Sequence, residues 1–136
     1  MTSAQELIVY PDHDTLSAAN GARIITAVKD AQAARGVAHV CLTGGRGGTS
    51  ALAAVWACPA VNAVDWSKVD FWWSDERFLP EGDPARNETG AREVLLDKIN
   101  VDPDRIHPMP RLDGPIGDDV DAAATSYAEE LLRAAG

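Results

Sequence analysis

Positive charge is scarce in this sequence. Twelve Lys and Arg stand against twenty-one Asp and Glu in 136 residues, a formal net charge of −9. A field of that sign argues against broad binding to nucleic acid or to anionic membranes. An anionic ligand would therefore need a local site of cations and N–H groups. Cysteine is nearly absent too. Cys41 and Cys58 have no CxxC partner and no histidine at metal-ligand spacing, so neither a disulfide framework nor a metal site is implied. Both read as reduced residues in or near the core. Long apolar runs are missing, and no charged n-region with an apolar h-region opens the chain. The expectation is a soluble, cytoplasmic protein. There is no internal repeat and no low-complexity tract. Disorder is excluded by a hydrophobic content of 46%, enough for a core in one domain of ordinary size.

What is present alternates between strand-like and helix-like stretches. Glu6–Tyr10 is a short apolar run before Pro11 and fits a first strand. Asp12, Asp14 and Thr15 offer N-cap oxygens for a helix from Leu16 to about Ala34, with Leu16, Ile24, Ala27, Val28 and Ala31 near one face. Gly21 weakens that helix and Arg35-Gly36 ends it. Val37–Leu42 is a second strand, and Ala51–Ala57 a helix stopped by Pro59. Val69–Trp73 is rich in β-branched and aromatic residues and suits a central strand, with Trp66 packing at its edge. A helix over Gly90–Lys98, capped by Asn87 or Thr89, buries Ala91, Val94, Leu95 and Ile99. Asp104–Pro110 reads as a short strand broken by prolines. The last helix, Val120–Ala134, is capped by Asp118 or Asp119 and presents Val120, Ala124, Tyr127 and Leu131. The order is β-α-β-α-β-α-β-α, an α/β fold with a parallel sheet and helices on both faces. Four strands make a small sheet that looks unfinished on its C-terminal side.

Two stretches carry chemistry. The first is Thr43-Gly-Gly-Arg-Gly-Gly-Thr-Ser50, between a strand and a helix. Glycines let backbone N–H groups approach an anion, and a helix N-terminus adds partial positive charge. Thr49 and Ser50 can cap that helix, and Arg46 adds a cation. Neither the Walker A pattern nor GxGxxG is present, and a flexible connection would use the same residue types. The second is Ser74-Asp-Glu-Arg77, released where the Val69–Trp73 strand ends. Ligands of open α/β sheets bind beyond the carboxyl ends of strands. A solvated strand end with an internal ion pair is the plainer alternative. Leu79–Glu88 is a Pro/Gly/Asp-rich loop carrying Arg86 and Asn87, readable as a binding rim or a surface excursion. His13 and His107 read as surface or structural residues rather than catalytic ones.

Leu42-Thr-Gly-Gly45, Ser74-Asp-Glu-Arg-Phe-Leu-Pro80, Gly82-Asp-Pro-Ala-Arg-Asn87 and Ala91-Arg-Glu-Val-Leu-Leu96 together resemble the 6-phosphogluconolactonases. The resemblance implies a Rossmann-like fold of the sugar-phosphate isomerase type and hydrolysis of 6-phosphogluconolactone to 6-phosphogluconate in the oxidative pentose phosphate pathway. It implies no metal or organic cofactor. Gly44, Gly45 and the following backbone, with Arg77, would hold the substrate phosphate, Thr43 and Arg46 would belong to the same substrate-binding set, Asp75 would orient site groups or sugar hydroxyls, and Asn87 would sit near the rim. Where many members carry Ser-Thr-Pro after the paired glycines, this chain has Arg46-Gly47-Gly48. The family runs to nearly twice this length, and an Asp-Gly-His-Thr motif in its second half supplies the histidine thought to be the general base. His13, His39 and His107 match no such context, so that base is expected outside this chain.

The 136 residues are then either a single α/β domain or the N-terminal half of a larger one: a fragment, a cleavage product, or a subunit completed by a C-terminal half chain or a second copy. Two other functions stay open. A related sugar-phosphate isomerase or deaminase would use the Asp of a similar Asp-Glu pair as base, with an aromatic residue after it where this chain has Arg77. A sugar-phosphate binding module would need no base.

Overall fold

The computed structural model describes residues 4–136. The first element is helix α1, His13–Arg35. Asp12 caps it, its carboxylate accepting from the Thr15 N–H at 2.7 Å, and Gly36 ends it at φ 82°, the left-handed cap that glycine takes without strain. Strand β1 (Ala38–Leu42), helix α2 (Gly45–Ala57) and strand β2 (Val69–Trp73) follow. The strands are parallel and in register from Ala38 opposite Val69 to Leu42 opposite Trp73. Beyond β2 comes α3 (Asn87–Ala91), continued by a π-helical turn over Arg92–Leu96, and then α4 (Val120–Ala135), capped by Asp119.

β2 is the central strand, and all five of its residues are buried. Val69, Phe71 and Trp73 join a core with Ala38 and Leu42 of β1, Ile25 and Val28 of α1, Leu52 and Val55 of α2, and Ala91, Leu95 and Leu96. Trp66 packs on Phe71, with ring centroids 6.3 Å apart, and satisfies its indole N–H on the Val61 carbonyl at 2.9 Å. The opposite face carries Asp70 and Trp72 and is covered by α4. Tyr127 stands edge-on to Trp72, and its hydroxyl donates to the His107 carbonyl at 2.7 Å and accepts the Trp73 N–H at 3.0 Å. The α/β architecture with a parallel sheet and helices on both faces is therefore present.

Several sequence expectations need correction. Glu6–Tyr10 is not a strand: it forms no ladder, and Leu7 and Val9 are 89% and 81% exposed. Strand-like composition does nothing without a neighbour to pair with. Asp104–Pro110 is reduced to a single parallel bridge, Phe71 with Ile106, and the His107 N–H donates to the Phe71 carbonyl at 2.9 Å. Pro103, Pro108 and Pro110 have no N–H with which to extend that ladder. Cys41 is exposed rather than in the core: it stands in register with Trp72, on the sheet face opposite the apolar core. Both cysteines are free thiols. On α4 the expected stripe is only partly covered: Val120 and Leu131 are 57% and 45% exposed, and Ala123 is the buried residue.

The buried line of α1 is Ser17, Gly21, Ile25 and Val28, shifted by about one position from the expected stripe. Gly21 is why the two helices come so close. A Cβ there would lie 2.8 Å from the Ala54 carbonyl carbon and 2.9 Å from the Val55 nitrogen. Alanine would gain up to about 1 kcal/mol of helix propensity. Forcing a methyl group against backbone costs about 1–3 kcal/mol, so packing wins. Gly21→Ala is expected to lower stability in urea by about 1 kcal/mol. A raised unfolding midpoint would contradict this contact.

Candidate functional site

The carboxyl ends of β1 and β2 lie side by side, joined by the Ser74 N–H donating to the Leu42 carbonyl at 2.9 Å. Beyond β1 the chain turns almost at once into α2. The helix starts at Gly45, not Ala51, so Thr49 and Ser50 lie within it and do not cap it. The long glycine loop expected from sequence is in fact a tight turn and the first turns of a helix. Gly45 has φ 76°, a conformation that costs glycine little. A Cβ on Gly48 would lie 2.2 Å from the Thr43 carbonyl oxygen, so that glycine lets the helix close on the end of β1. Gly44 occupies the N-cap position with no side-chain cap, which leaves the first N–H groups of α2 without that partner.

Gly44 faces Asn87. A Cβ on Gly44 would fall 1.8 Å from Asn87 Oδ1, so a larger residue would have to displace the Asn87 side chain. The Asn87 amide donates to the Asp75 carbonyl at 3.0 Å and to Asp75 Oδ1 at 3.2 Å. Asp75 Oδ2 in turn faces the Arg77 guanidinium at 3.6 Å. Gly44, Asn87, Asp75 and Arg77 thus form one continuous line across the strand ends. Both partners of the Asp75–Arg77 pair are about 60% exposed (61% and 59%). Such pairs contribute little to stability. Thr43, Gly45 and Arg46 are exposed at the start of α2, on the same side. Asn87 is half-buried.

Beneath this line lies a charged cluster that the sequence reading did not single out. Arg86 is 1% exposed. Its guanidinium donates to the Arg77 carbonyl at 2.9 Å, to Glu88 at 3.0 Å and to the Met109 carbonyl at 2.9 Å, and it lies 3.6 Å from Glu76. Glu76 accepts the N–H groups of Arg77, Asn87 and Glu88, and so caps α3 from a distance in place of Asn87 or Thr89. Glu88 also binds Arg92 at 2.8 Å and Arg111. Burial pushes the Glu88 pKa up, but the hydrogen bonds from Arg111 and Arg92, the Arg111 charge and the Arg86 contact outweigh it and hold the carboxyl at about 2. The only sequence signal was alternation of Glu and Arg from Glu76 to Arg92, which an exposed helix face would also show.

The three histidines lie elsewhere. His13 bonds Ser50 at 3.1 Å, and His39 accepts the Trp72 indole N–H at 3.1 Å. His107 is buried between Asp70 at 2.9 Å and Glu130 at 2.8 Å, with its ring stacked 3.9 Å from Trp72. Beside Arg77, an apolar groove of about 410 Å³ runs between Trp73, Phe78 and Met109 on one side and α4 on the other. Among the described residues no group of His, Cys, Asp and Glu could hold a metal ion, and no helix is long and apolar enough to cross a membrane.

A sequence model of the family described as glucosamine-6-phosphate isomerases/6-phosphogluconolactonase matches residues 11–136. The chain belongs to this family. It is 53% identical over 134 residues to a 6-phosphogluconolactonase of Streptomyces coelicolor, covering 98% of this chain and 51% of that protein. It is 42% identical over 127 residues to a 6-phosphogluconolactonase of Mycobacterium tuberculosis, covering 93% and 51%. The chain spans about half the length of the curated relatives it matches. Two solved structures share its fold. The 6-phosphogluconolactonase of Thermotoga maritima superposes with a TM-score of 0.77 at 20% identity, over 93% of this chain and 54% of that one. A monomeric glucosamine-6-phosphate deaminase gives 0.78 at 15% identity, over 95% and 51%.

The Glu88 cluster makes a pH prediction. Because the folded-state pKa lies below the ordinary 4.5, its stabilisation is complete above about pH 4.5 and is lost as pH falls towards 2. The shift corresponds to roughly 3 kcal/mol. Urea unfolding of the wild type should show this loss across that window, and Glu88→Gln should flatten it. An equally steep acid loss in the variant would place the effect on other carboxylates.

Proposed function

We propose that this chain supplies the phosphate-binding half of a site that hydrolyses 6-phosphogluconolactone to 6-phosphogluconate. The observation that carries the proposal is the line Gly44–Asn87–Asp75–Arg77 across the carboxyl ends of two parallel strands, in a chain 53% identical to a protein named for that activity. The phosphate would sit between the N–H groups at the start of α2, with Thr43, Gly44, Gly45 and Arg46 around it, and the Arg77 guanidinium. Arg suits that task because its planar fork binds phosphate oxygens in pairs, and a local clamp is what an acidic protein needs to hold an anion. Asp75 would release Arg77 to the phosphate and orient sugar hydroxyls or neighbouring groups. Asn87 would hold Asp75 in place.

Hydrolysis also requires a base to take a proton from water as its oxygen adds to the lactone carbonyl, before the ring C–O bond breaks. His13, His39 and His107 are each hydrogen-bonded outside the line of site residues, so the base would come from residues beyond these, on a C-terminal half chain or a second copy. The same observation favours a second reading for the chain by itself: binding of the sugar phosphate without turnover. Arg77 after the Asp-Glu pair speaks against an isomerase or deaminase. A pathway of soluble phosphosugars would suit a protein of the cytoplasm.

The test is lactone hydrolysis by the purified chain, corrected for spontaneous opening, with and without the separately expressed second half of the Streptomyces relative. Turnover only with the added half is expected; turnover by the chain alone would overturn the missing-base account. In calorimetry with 6-phosphogluconate, Arg77→Ala should weaken binding by about 2 kcal/mol, the loss of a charge-assisted pair. Unchanged affinity would remove Arg77 from the phosphate clamp.

A further inference from the structure

The residues proposed to meet the ligand, Arg77 and Asn87, stand at the two ends of a long excursion. Its tip is held at a distance: the Leu112 N–H donates to the Leu79 carbonyl at 3.1 Å, and the Glu81 N–H to Asp113 at 3.0 Å. Its base is closed by the neighbours of those two residues, Glu76 and Arg86. Both polar groups of the Arg77 peptide are engaged from below. Its N–H donates to Glu76 at 2.9 Å, and its carbonyl accepts from Arg86 at 2.9 Å. The same Glu76 carboxylate takes the N–H of Asn87 and, at 2.9 Å, that of Glu88. The side chains of Glu76 and Arg86 are 2% and 0% exposed, so both act from beneath the surface.

We infer that Arg86 and Glu76 are positioning residues: a buried pin that fixes the distance between Arg77 and Asn87, and with it the width of the anion site. This inference rests on the function proposed above. Charge alone does not make the pin. Arg86 spans the Arg77 carbonyl, the Met109 carbonyl and Glu88 at once, and only a planar fork reaches three acceptors in fixed directions. Lysine keeps the charge and loses the fork. The Arg77 side chain is thus a mobile cation on a fixed root, and a root displaced by about 1 Å misaligns a charge clamp severely.

The experiment compares Arg86→Lys and Glu76→Gln with the wild-type chain in two readouts. The first is amide hydrogen exchange by NMR. Both variants are expected to lose at least about tenfold protection at Arg77, Asn87 and Glu88 while Val40 and Leu42 of β1 keep theirs. Unchanged protection at the first three, or an equal loss throughout β1, would overturn the pin. The second is 6-phosphogluconate affinity, expected to fall at least about tenfold in Arg86→Lys. In an Arg77→Ala background the same substitution should have no further effect, because it acts through Arg77. A full further loss in that background would overturn the inference. Absence of wild-type binding would instead remove the proposed function, and the exchange readout would still decide whether the pin exists.

Discussion

Burial of one guanidinium constrains the whole end of the molecule where the site lies. Taking a charge out of water costs several kcal/mol unless partners replace the water. For Arg86 those partners come from three separate places: Glu76 and the Arg77 carbonyl after β2, Glu88 in α3, and the Met109 carbonyl in the segment before α4. None of these can drift without exposing an unpaired charge to apolar surroundings. The cluster is ionic rather than apolar because three peptide N–H groups converge there and an apolar side chain could not satisfy them. A rigid base under exposed ligand-facing side chains is what a binding site made of loop ends requires.

The two faces of the sheet solve different problems. The face with Val69, Phe71 and Trp73 is dry and packs on α1, α2 and α3. The other is polar: Asp70 pairs with Arg105 at 2.7 Å and with His107, which also meets Glu130 of α4. Tyr127 is the hinge of that layer. Burial, with Glu130 nearby, pushes its hydroxyl up to about 12, so it stays a neutral donor to the His107 carbonyl. α4 is therefore seated by a few directional contacts, and its leucines remain exposed. That contrasts with the close α1–α2 packing through Gly21, where shape rather than polarity sets the geometry.

Local rules carried much of the reading. Asp12 and Asp119 cap the helices they precede, Gly36 ends α1, and Val69–Trp73 is the buried central strand, because capping and strand burial depend on residues a few positions apart. The family motifs located Asp75, Arg77 and Asn87 at one end of the sheet, where the structure brings them together with Gly44. Local rules failed where the deciding partner is distant. Glu6–Tyr10 looks like a strand but has no neighbour to pair with among the described residues. The glycines after Thr43 look like a loop but start a helix, because Asn87 and the Thr43 carbonyl demand close approach. Arg86 looked like one more charge in a polar loop.

The sequence by itself determined the α/β class, the caps of α1 and α4, the family, and the residues that its motifs gather at one end of the sheet. These follow from short-range spacing and from motifs that keep their meaning anywhere in a fold. Only the tertiary structure decided which charges are buried, which glycines sit against distant residues, and that all three histidines are hydrogen-bonded away from the line of Gly44, Asn87, Asp75 and Arg77. Those properties belong to contacts between residues far apart in the chain, such as Gly44 with Asn87 and Glu88 with Arg111, and no pattern read along one strand or helix contains them.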